Sequence, residues 1–163
     1  MKRIFLVGFM GTGKTTFGRQ LAESLGLSFI DTDVYIENTF HKSINQLFEE
    51  KGEEGFREIE RKMLVEIAEM ENVVIATGGG TACFYDNMDV MNRKGLTIYL
   101  KTPQEALVER LISAKMNRPL LRDKNNEEIS NYVHNKLEER EPFYSKAQMS
   151  INPLEEDITS ILK

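Results

Sequence analysis

Cysteine, histidine and proline are scarce in this sequence, with one, two and four residues among 163. The lone Cys83 excludes an internal disulfide. His41 and His134 lie too far apart for the spacing of a metal site, so we expect both at the surface. Internal repeats and flexible linkers are missing as well. The chain is therefore expected to form a single domain over residues 1–163.

Positive charge is also in short supply, because the formal net charge is −5. Such a chain has no general attraction for nucleic acid or an anionic membrane, and we expect neither as a partner. An anionic ligand must then be bound by individually placed arginine or lysine side chains. The apolar run IFLVGFM after Lys2 and Arg3 is short and lacks the cleavage site of a signal peptide, so we expect a cytoplasmic location.

Short apolar runs alternate with longer amphipathic stretches, a pattern that predicts an α/β fold. Five of these runs are typical of strands buried in a parallel sheet, namely Ile4–Val7, Leu27–Ile30, Val73–Ala76, Leu96–Leu100 and Met149–Ile151.

Three local signals predict helix ends. Ser43 and Gln46 have the spacing of a capping box. Thr102 followed by Pro103 fits an N-cap and a first helical position. Pro142 is expected to end the helix before it.

Residues 8–15, GFMGTGKT, fit the phosphate-binding pattern G-x-x-x-x-G-K-[ST] between a predicted strand and a predicted helix. In this setting backbone N–H groups bind phosphates, Lys14 reaches the β- and γ-phosphates, and the Thr15 hydroxyl group binds Mg²⁺. We therefore expect ATP with Mg²⁺ at a site formed by Gly11, Thr12, Gly13, Lys14, Thr15 and Thr16.

Two acidic residues follow the second predicted strand. Asp31 comes directly after LSFI, and Asp33 lies two residues later. Strand ends of a parallel sheet face the ligand crevice, and residues i and i+2 of an extended segment point the same way. One carboxylate is expected near Mg²⁺ and the other near an incoming hydroxyl group. The alternative is an N-cap and a first-turn acid of a helix.

Charged residues interrupt two apolar helix faces. Arg57 and Glu60 fall on or beside the buried stripe of a helix predicted at about 53–70, and Arg140 extends an apolar line through Ile129 and Val133. Two such arginines suggest a buried anion, for example a substrate carboxylate, whereas an ion pair with Glu60 is the alternative. The buried stripe is expected to contain Phe56, Ile59, Met63, Leu64 and Ile67.

The sequence NRPLLRDKNN between Met116 and Asn126 is polar and non-periodic, and predicts a mobile surface loop. Arg118 within it either is solvated or closes over the phosphates of ATP.

Together these motifs resemble the shikimate kinase family over nearly the whole chain. The resemblance implies a P-loop fold like that of nucleoside monophosphate kinases, a five-stranded parallel sheet flanked by helices. It also implies a lid at about 113–126 and a substrate-binding helical region at about 32–60. The segments that carry it are GFMGTGKTT at 8–16, DTD at 31–33, GFREIE at 55–60, TGGG at 77–80, RPLL at 118–121 and REPFY at 140–144.

The implied reaction transfers the ATP γ-phosphoryl group to the 3-hydroxyl group of shikimate, a step of aromatic amino acid biosynthesis, by a monomer. The resemblance makes Asp33 the group that activates this hydroxyl, with Lys14 and Arg118 also catalytic, and Asp31 a support for Mg²⁺ beside Thr15. The implied shikimate contacts are Asp33, Arg57, Glu60, Gly78, Gly79, Gly80 and Arg140, and Arg110 and Arg118 join the ATP site.

One segment departs from the family. An aspartate-containing turn commonly lies near the adenine after the last strand, whereas this chain has Ile151, Asn152 and Pro153 there. Two other functions also fit the P-loop: a small-molecule kinase like gluconate kinase, and a non-catalytic ATP-binding module that regulates a partner. The two arginines with the triple glycine disfavour the first, and retention of Asp33 and Arg118 disfavours the second.

Overall fold

The sheet is as the sequence predicts. The computed structural model describes residues 2–115 and 121–157. Five parallel strands pair in the order β2-β3-β1-β4-β5. Strand β2 lies one residue later than predicted, and the other strands agree to within a residue. Their bounds are β1 Arg3–Val7, β2 Ser28–Asp31, β3 Val73–Ala76, β4 Leu96–Leu100 and β5 Met149–Ile151.

Helices cover both faces of the sheet, and a short 3₁₀ turn at Thr81–Cys83 follows β3. Helix α1 packs on one face of the sheet, and α3 to α6 pack together on the other face. The helices are α1 Lys14–Leu25, α2 Thr32–Phe40, α3 Ile44–Ile67, α4 Asn87–Lys94, α5 Gln104–Ala114 and α6 Asn126–Tyr144.

Strand β1 is the centre of the core because its alternate side chains enter both clusters. Phe5 packs with Leu107 on the face covered by α3 to α6. Leu6 packs with Leu21 of α1 on the other face. All four side chains are at most 1% exposed, so the middle of the sheet is a dry and rigid support.

The strand register brings three loops to one edge of the sheet. Ala76 at the end of β3 is paired with Leu6 on one side and with Asp31 on the other. The P-loop, the start of α2 and the triple glycine therefore leave the sheet at nearly the same height. This is the edge at which parallel sheets bind ligands.

Helix α3 begins as predicted and contains one interruption. Ser43 Oγ accepts from the Gln46 N–H at 3.1 Å, and the Gln46 side chain accepts from the Ser43 N–H at 2.8 Å, which completes the capping box. Gly52 has φ 71° and ψ 177° and marks a kink between two helical parts. Its positive φ explains glycine at this position.

Two predicted helix ends are wrong. Pro103 is itself the N-cap of α5, since its ψ of 142° is still extended, and the buried Thr102 hydroxyl finds no hydrogen-bond partner among the described residues. Helix α6 continues through Pro142 to Tyr144. A proline in the last turn removes only one helical hydrogen bond, and complete burial of Tyr144 holds that turn in place.

His41 and His134 are both exposed, as expected. None of the helices in the described ranges has the length and apolar character needed to cross a bilayer.

Candidate active site

A cleft of about 350 Å³ lies at the carboxyl edge of the sheet. Three chain segments form its wall: the P-loop with the start of α1, the β2–α2 junction, and the end of β3 with the glycines after it. The lining residues are Met10, Gly11, Gly13, Lys14, Thr15, Thr16, Asp31, Asp33, Ala76, Thr77, Gly78 and Gly79.

The P-loop is shaped by glycines in conformations that other residues avoid. Gly11 and Gly13 have φ of 84° and 86°, and Gly13 is the N-cap of α1. No side chain of the described residues caps this helix end, so its N–H groups and positive dipole face the cleft. Lys14 Nζ donates to the carbonyl groups of Gly8 and Phe9, the latter at 3.0 Å. An anion at this end would therefore meet both the helix N-terminus and the Lys14 ammonium group.

Arg110 reaches the P-loop from α5. Its Nη1 donates to the Gly11 carbonyl group at 2.7 Å. The structure therefore places Arg110 beside the phosphate-binding loop.

Asp31 connects the P-loop to α2. One carboxylate oxygen accepts from the backbone N–H groups of Asp33 at 2.9 Å and Val34 at 3.3 Å, which makes Asp31 the N-cap of α2. The other oxygen accepts from Thr15 Oγ1 at 3.0 Å. Asp31 is thus a helix cap and a neighbour of Thr15 at the same time.

Asp33 lies in the first turn of α2, so the prediction that Asp31 and Asp33 share an extended segment is wrong. The chain turns into a helix immediately after Asp31 because that residue caps it. Both carboxylates nevertheless line the cleft, since the first turn of α2 follows the sheet edge.

Burial is the main reason why the pKa of Asp33 rises from 3.8 to about 6. The negative charges of Asp31, Glu60 and Glu37 add to this rise, and the positive charge of Lys14 opposes it. A carboxylate with this pKa is mostly ionised at pH 7 and still basic enough to accept a proton from a bound hydroxyl group.

Arg57 and Glu60 form a buried ion pair within α3. The distance between Arg57 Nη1 and Glu60 Oε1 is 3.0 Å, and the residues are only 8% and 3% exposed. Arg57 Nε finds no acceptor in the described ranges. The Phe84 ring lies 4.2 Å from the guanidinium carbon. Ile59 of the predicted buried stripe is only half-buried, although it packs against the buried cluster that contains Phe56 and Met63.

Arg140 approaches the same region from α6. Its guanidinium carbon lies 5.6 Å from the centre of the Phe9 ring, and its positive charge opposes the rise that burial causes in the pKa of Tyr144. The Tyr144 hydroxyl group donates to the Gly79 carbonyl group. Arg140 and Tyr144 therefore both lie beside Gly79, in the loop that lines the cleft.

The three glycines after β3 face the charged side chains of the site. A β-carbon at Gly78 would lie 2.9 Å from Asp33 Oδ1 and 3.4 Å from Glu60 Oε2. At Gly79 it would lie 3.5 Å from Arg140 Nη1, and at Gly80 only 2.6 Å from Arg57 Nη2. The TGGG segment is thus the place where the predicted residues meet.

We expect Gly80→Ala to lower stability by about 1–3 kcal/mol, because the new methyl group overlaps the buried Arg57 guanidinium. Backbone strain is not the cause, since Gly80 has an ordinary φ of −96°. Thermal unfolding measures the loss. Gly79→Ala is the matched control, because its β-carbon has no neighbour closer than 3.4 Å. Equal losses in the two variants would contradict this explanation.

The sequence did not single out Thr81 and Tyr144. Thr81 gave no signal, because one threonine after a glycine run is ordinary. Tyr144 belonged to the REPFY segment, but its hydrogen bond to Gly79 depends on tertiary structure. Arg118 lies outside the described residues, as do residues 116–120 of the expected lid. Leu121, just after them, is fully buried in the core.

Comparison with known proteins agrees with this architecture. A family model described as "Shikimate kinase" matches residues 10–162. A shikimate kinase from Parabacteroides distasonis is 54% identical over 152 residues, which are 93% of this chain and 88% of that protein. The structure of shikimate kinase from Acinetobacter baumannii in complex with shikimate has a TM-score of 0.87 and 37% identity, and covers 99% of this chain and 91% of the other.

A gluconokinase from Sinorhizobium meliloti is more distant, with a TM-score of 0.60, 17% identity, and coverage of 99% of this chain and 87% of that one. This likeness shows the fold alone. The family match extends over most of the chain and includes the P-loop end, Asp33, the two arginines and the glycines of the cleft. This chain belongs to the shikimate kinase family.

Proposed function

We propose that this protein transfers the γ-phosphoryl group of ATP to the 3-hydroxyl group of shikimate. The single observation that carries the proposal is the position of Asp33, a basic carboxylate between the P-loop and the cluster of Arg57, Arg140 and Glu60. Gly78 lies between the two sides, because a β-carbon there would lie 2.9 Å from Asp33 Oδ1 and 3.4 Å from Glu60 Oε2. A substrate with a carboxylate at one end and a hydroxyl group at the other fits this arrangement.

The phosphates of ATP bind along the P-loop in this proposal. The uncapped start of α1, Lys14 and the hydroxyl groups of Thr15 and Thr16 supply donors for them. Arg110 braces the loop through the Gly11 carbonyl group. Arg118 of the expected lid then closes over the transferring group.

Magnesium fits the donor set beside the phosphates. Thr15 Oγ1 and Asp31 Oδ2 are 3.0 Å apart, and hydroxyl and carboxylate oxygens are the ligands that Mg²⁺ prefers, with phosphate oxygens and water completing its shell. Clusters of three or more histidine, cysteine or acidic residues suited to a metal are absent from the described residues. When bound, Mg²⁺ neutralises developing charge on the phosphates.

The carboxylate of shikimate binds at the two arginines. Arg57 Nε is buried without a partner in the described part of the chain, and a substrate oxygen would satisfy it. Arginine offers a planar pair of donors to a carboxylate. The net charge of −5 gives no general attraction to an anion, so these placed arginines must bind it. The Gly79 N–H group is the proposed third donor.

Asp33 then accepts the proton of the substrate hydroxyl group. The hydroxyl oxygen forms a bond to the γ-phosphorus as the bond from that phosphorus to the bridging oxygen of ADP breaks. Positioning and charge stabilisation supply most of the rate enhancement in such reactions. We further propose that the enzyme is a cytoplasmic monomer.

The first experiment is ADP release from Mg²⁺-ATP with shikimate, with gluconate and without an acceptor. We expect release that depends on shikimate. Release with gluconate alone would retain the kinase fold and reject the substrate. ATP binding without release for any acceptor would favour the regulatory module.

A further inference from the structure

The two carboxylate oxygens of Glu60 have different partners. Oε1 accepts from Arg57 Nη1 at 3.0 Å, and Oε2 accepts from the Thr81 hydroxyl group at 2.8 Å. Glu60 is 3% exposed and Thr81 is fully buried. Water therefore does not compete for these bonds, and the geometry of Glu60 is fixed by the protein itself.

Thr81 is in turn held by α4. The Asn87 amide group donates to the Thr81 carbonyl group at 2.8 Å, and the Asn87 side-chain oxygen accepts from Arg61 Nη1 at 2.7 Å. Arg61 also pairs with Asp86 at 2.7 Å. A continuous polar chain thus runs from a partly exposed ion pair through Asn87 and Thr81 to Glu60.

We propose that Thr81 is a positioning residue that keeps Glu60 bound to Arg57 through one oxygen only, and so leaves the Nε edge of Arg57 free for the substrate carboxylate. The proposal rests on the function given above. Arginine and a carboxylate otherwise tend to pair through two parallel hydrogen bonds. With Oε2 released, Glu60 would take a second bond from Arg57 Nη2. Because Nη2 shares the free edge with Nε, Glu60 would then compete with the substrate carboxylate.

The Thr81 hydroxyl group can hold Glu60 Oε2 in place because it is fully buried beside it. A β-carbon at Gly78 would lie 3.2 Å from Thr81 Oγ1, so the glycine permits the hydroxyl group to reach Glu60. Valine has nearly the shape of threonine and lacks the donor. Serine retains the donor and lacks the methyl group.

Steady-state kinetics of Thr81→Val and Thr81→Ser test the proposal. We expect Thr81→Val to raise the KM for shikimate roughly tenfold, with little change in kcat or in the KM for ATP, and Thr81→Ser to restore the wild-type KM. Thr97→Val is the matched control, because Thr97 is equally buried and bonds to Asn92 and Gln148.

An unchanged KM for shikimate in Thr81→Val would overturn the proposal, as would equal rises for both substrates or a serine variant no better than valine. Thr81→Ala, with shikimate binding measured by calorimetry, gives the same test if the valine variant does not fold. Wild-type protein without shikimate-dependent turnover would instead reject the proposed function, so the two failures are distinguishable.

Discussion

Asp33→Asn should reduce shikimate-dependent turnover by roughly 10³-fold, because asparagine cannot accept the hydroxyl proton. The substitution keeps the size of the side chain. It also leaves Asp31 in place as the cap of α2, since Asp31 accepts from the backbone N–H of residue 33 and not from its side chain. Binding of Mg²⁺-ATP should therefore remain nearly unchanged. Initial rates of ADP release measure turnover, and calorimetry with a non-hydrolysable ATP analogue measures nucleotide binding.

Asp89→Asn is the matched control for this prediction. Asp89 lies in the first turn of α4 as Asp33 lies in that of α2, but it is exposed and does not line the cleft. A general effect of removing a first-turn acid would appear in both variants. Unchanged turnover in Asp33→Asn would refute the role of Asp33 as the base.

The raised pKa of Asp33 gives this variant a second signature. The folded-state pKa of about 6 lies above the ordinary 3.8, so the folded protein holds this proton more tightly than the unfolded chain does. The contribution to stability is present below about pH 4 and is lost as the pH rises through 6. With an allowance for partial solvent access, the free energy of unfolding of the wild-type protein falls by about 2 kcal/mol as the pH rises from about 4 to above 6.

Asparagine has no such proton to lose. Asp33→Asn should therefore unfold at a higher temperature than wild type at pH 7–8, and the difference should shrink toward pH 4. The wild-type kcat/KM should fall on the acid side with an apparent pKa near 6. A difference in unfolding temperature that does not vary with pH would show that burial does not raise this pKa.

The sheet was predictable because buried parallel strands are short continuous apolar runs, and the runs differ from the observed strands by no more than a residue. The P-loop was predictable because its glycines, Lys14 and Thr15 must occur at fixed spacing. The ends of the helices were less predictable from the sequence. Thr102 and Pro142 carry the usual local signals, but the extended chain at Pro103 and the burial of Tyr144 decide where α5 begins and where α6 ends.

The clustering of charged residues in the candidate site was predictable only in part. Helical periodicity placed Arg57 and Glu60 toward the core, and a local pair was one of the alternatives. Both alternatives turn out to be compatible, because the pair forms through Nη1 and leaves Nε without a partner in the described residues. The links from Glu60 to Thr81 and from Tyr144 to Gly79 join elements distant in sequence. No pattern within one element contains that information.

Arg140→Ala should raise the KM for shikimate by roughly 10²-fold and leave the KM for ATP nearly unchanged. Charge-assisted hydrogen bonds to a carboxylate are strong, and a substrate anion in this part of the cleft would lose one of its two cations. Arg140 is half-buried beside Phe9 and Gly79, so water replaces it poorly. Initial rates over a matrix of shikimate and ATP concentrations give both constants.

Lys136→Ala is the matched control on the same helix. Lys136 lies about one turn before Arg140 and pairs with Glu139 at 3.5 Å, so its removal changes the charge of α6 by the same amount without touching the cleft. A general field effect would raise the KM for shikimate in both variants, whereas direct contact raises it only in Arg140→Ala. Arg140→Lys separates charge from shape, because lysine keeps the charge and lacks the planar pair of donors. We expect it to recover only part of the loss, and equal losses for shikimate and ATP in Arg140→Ala would exclude a carboxylate contact.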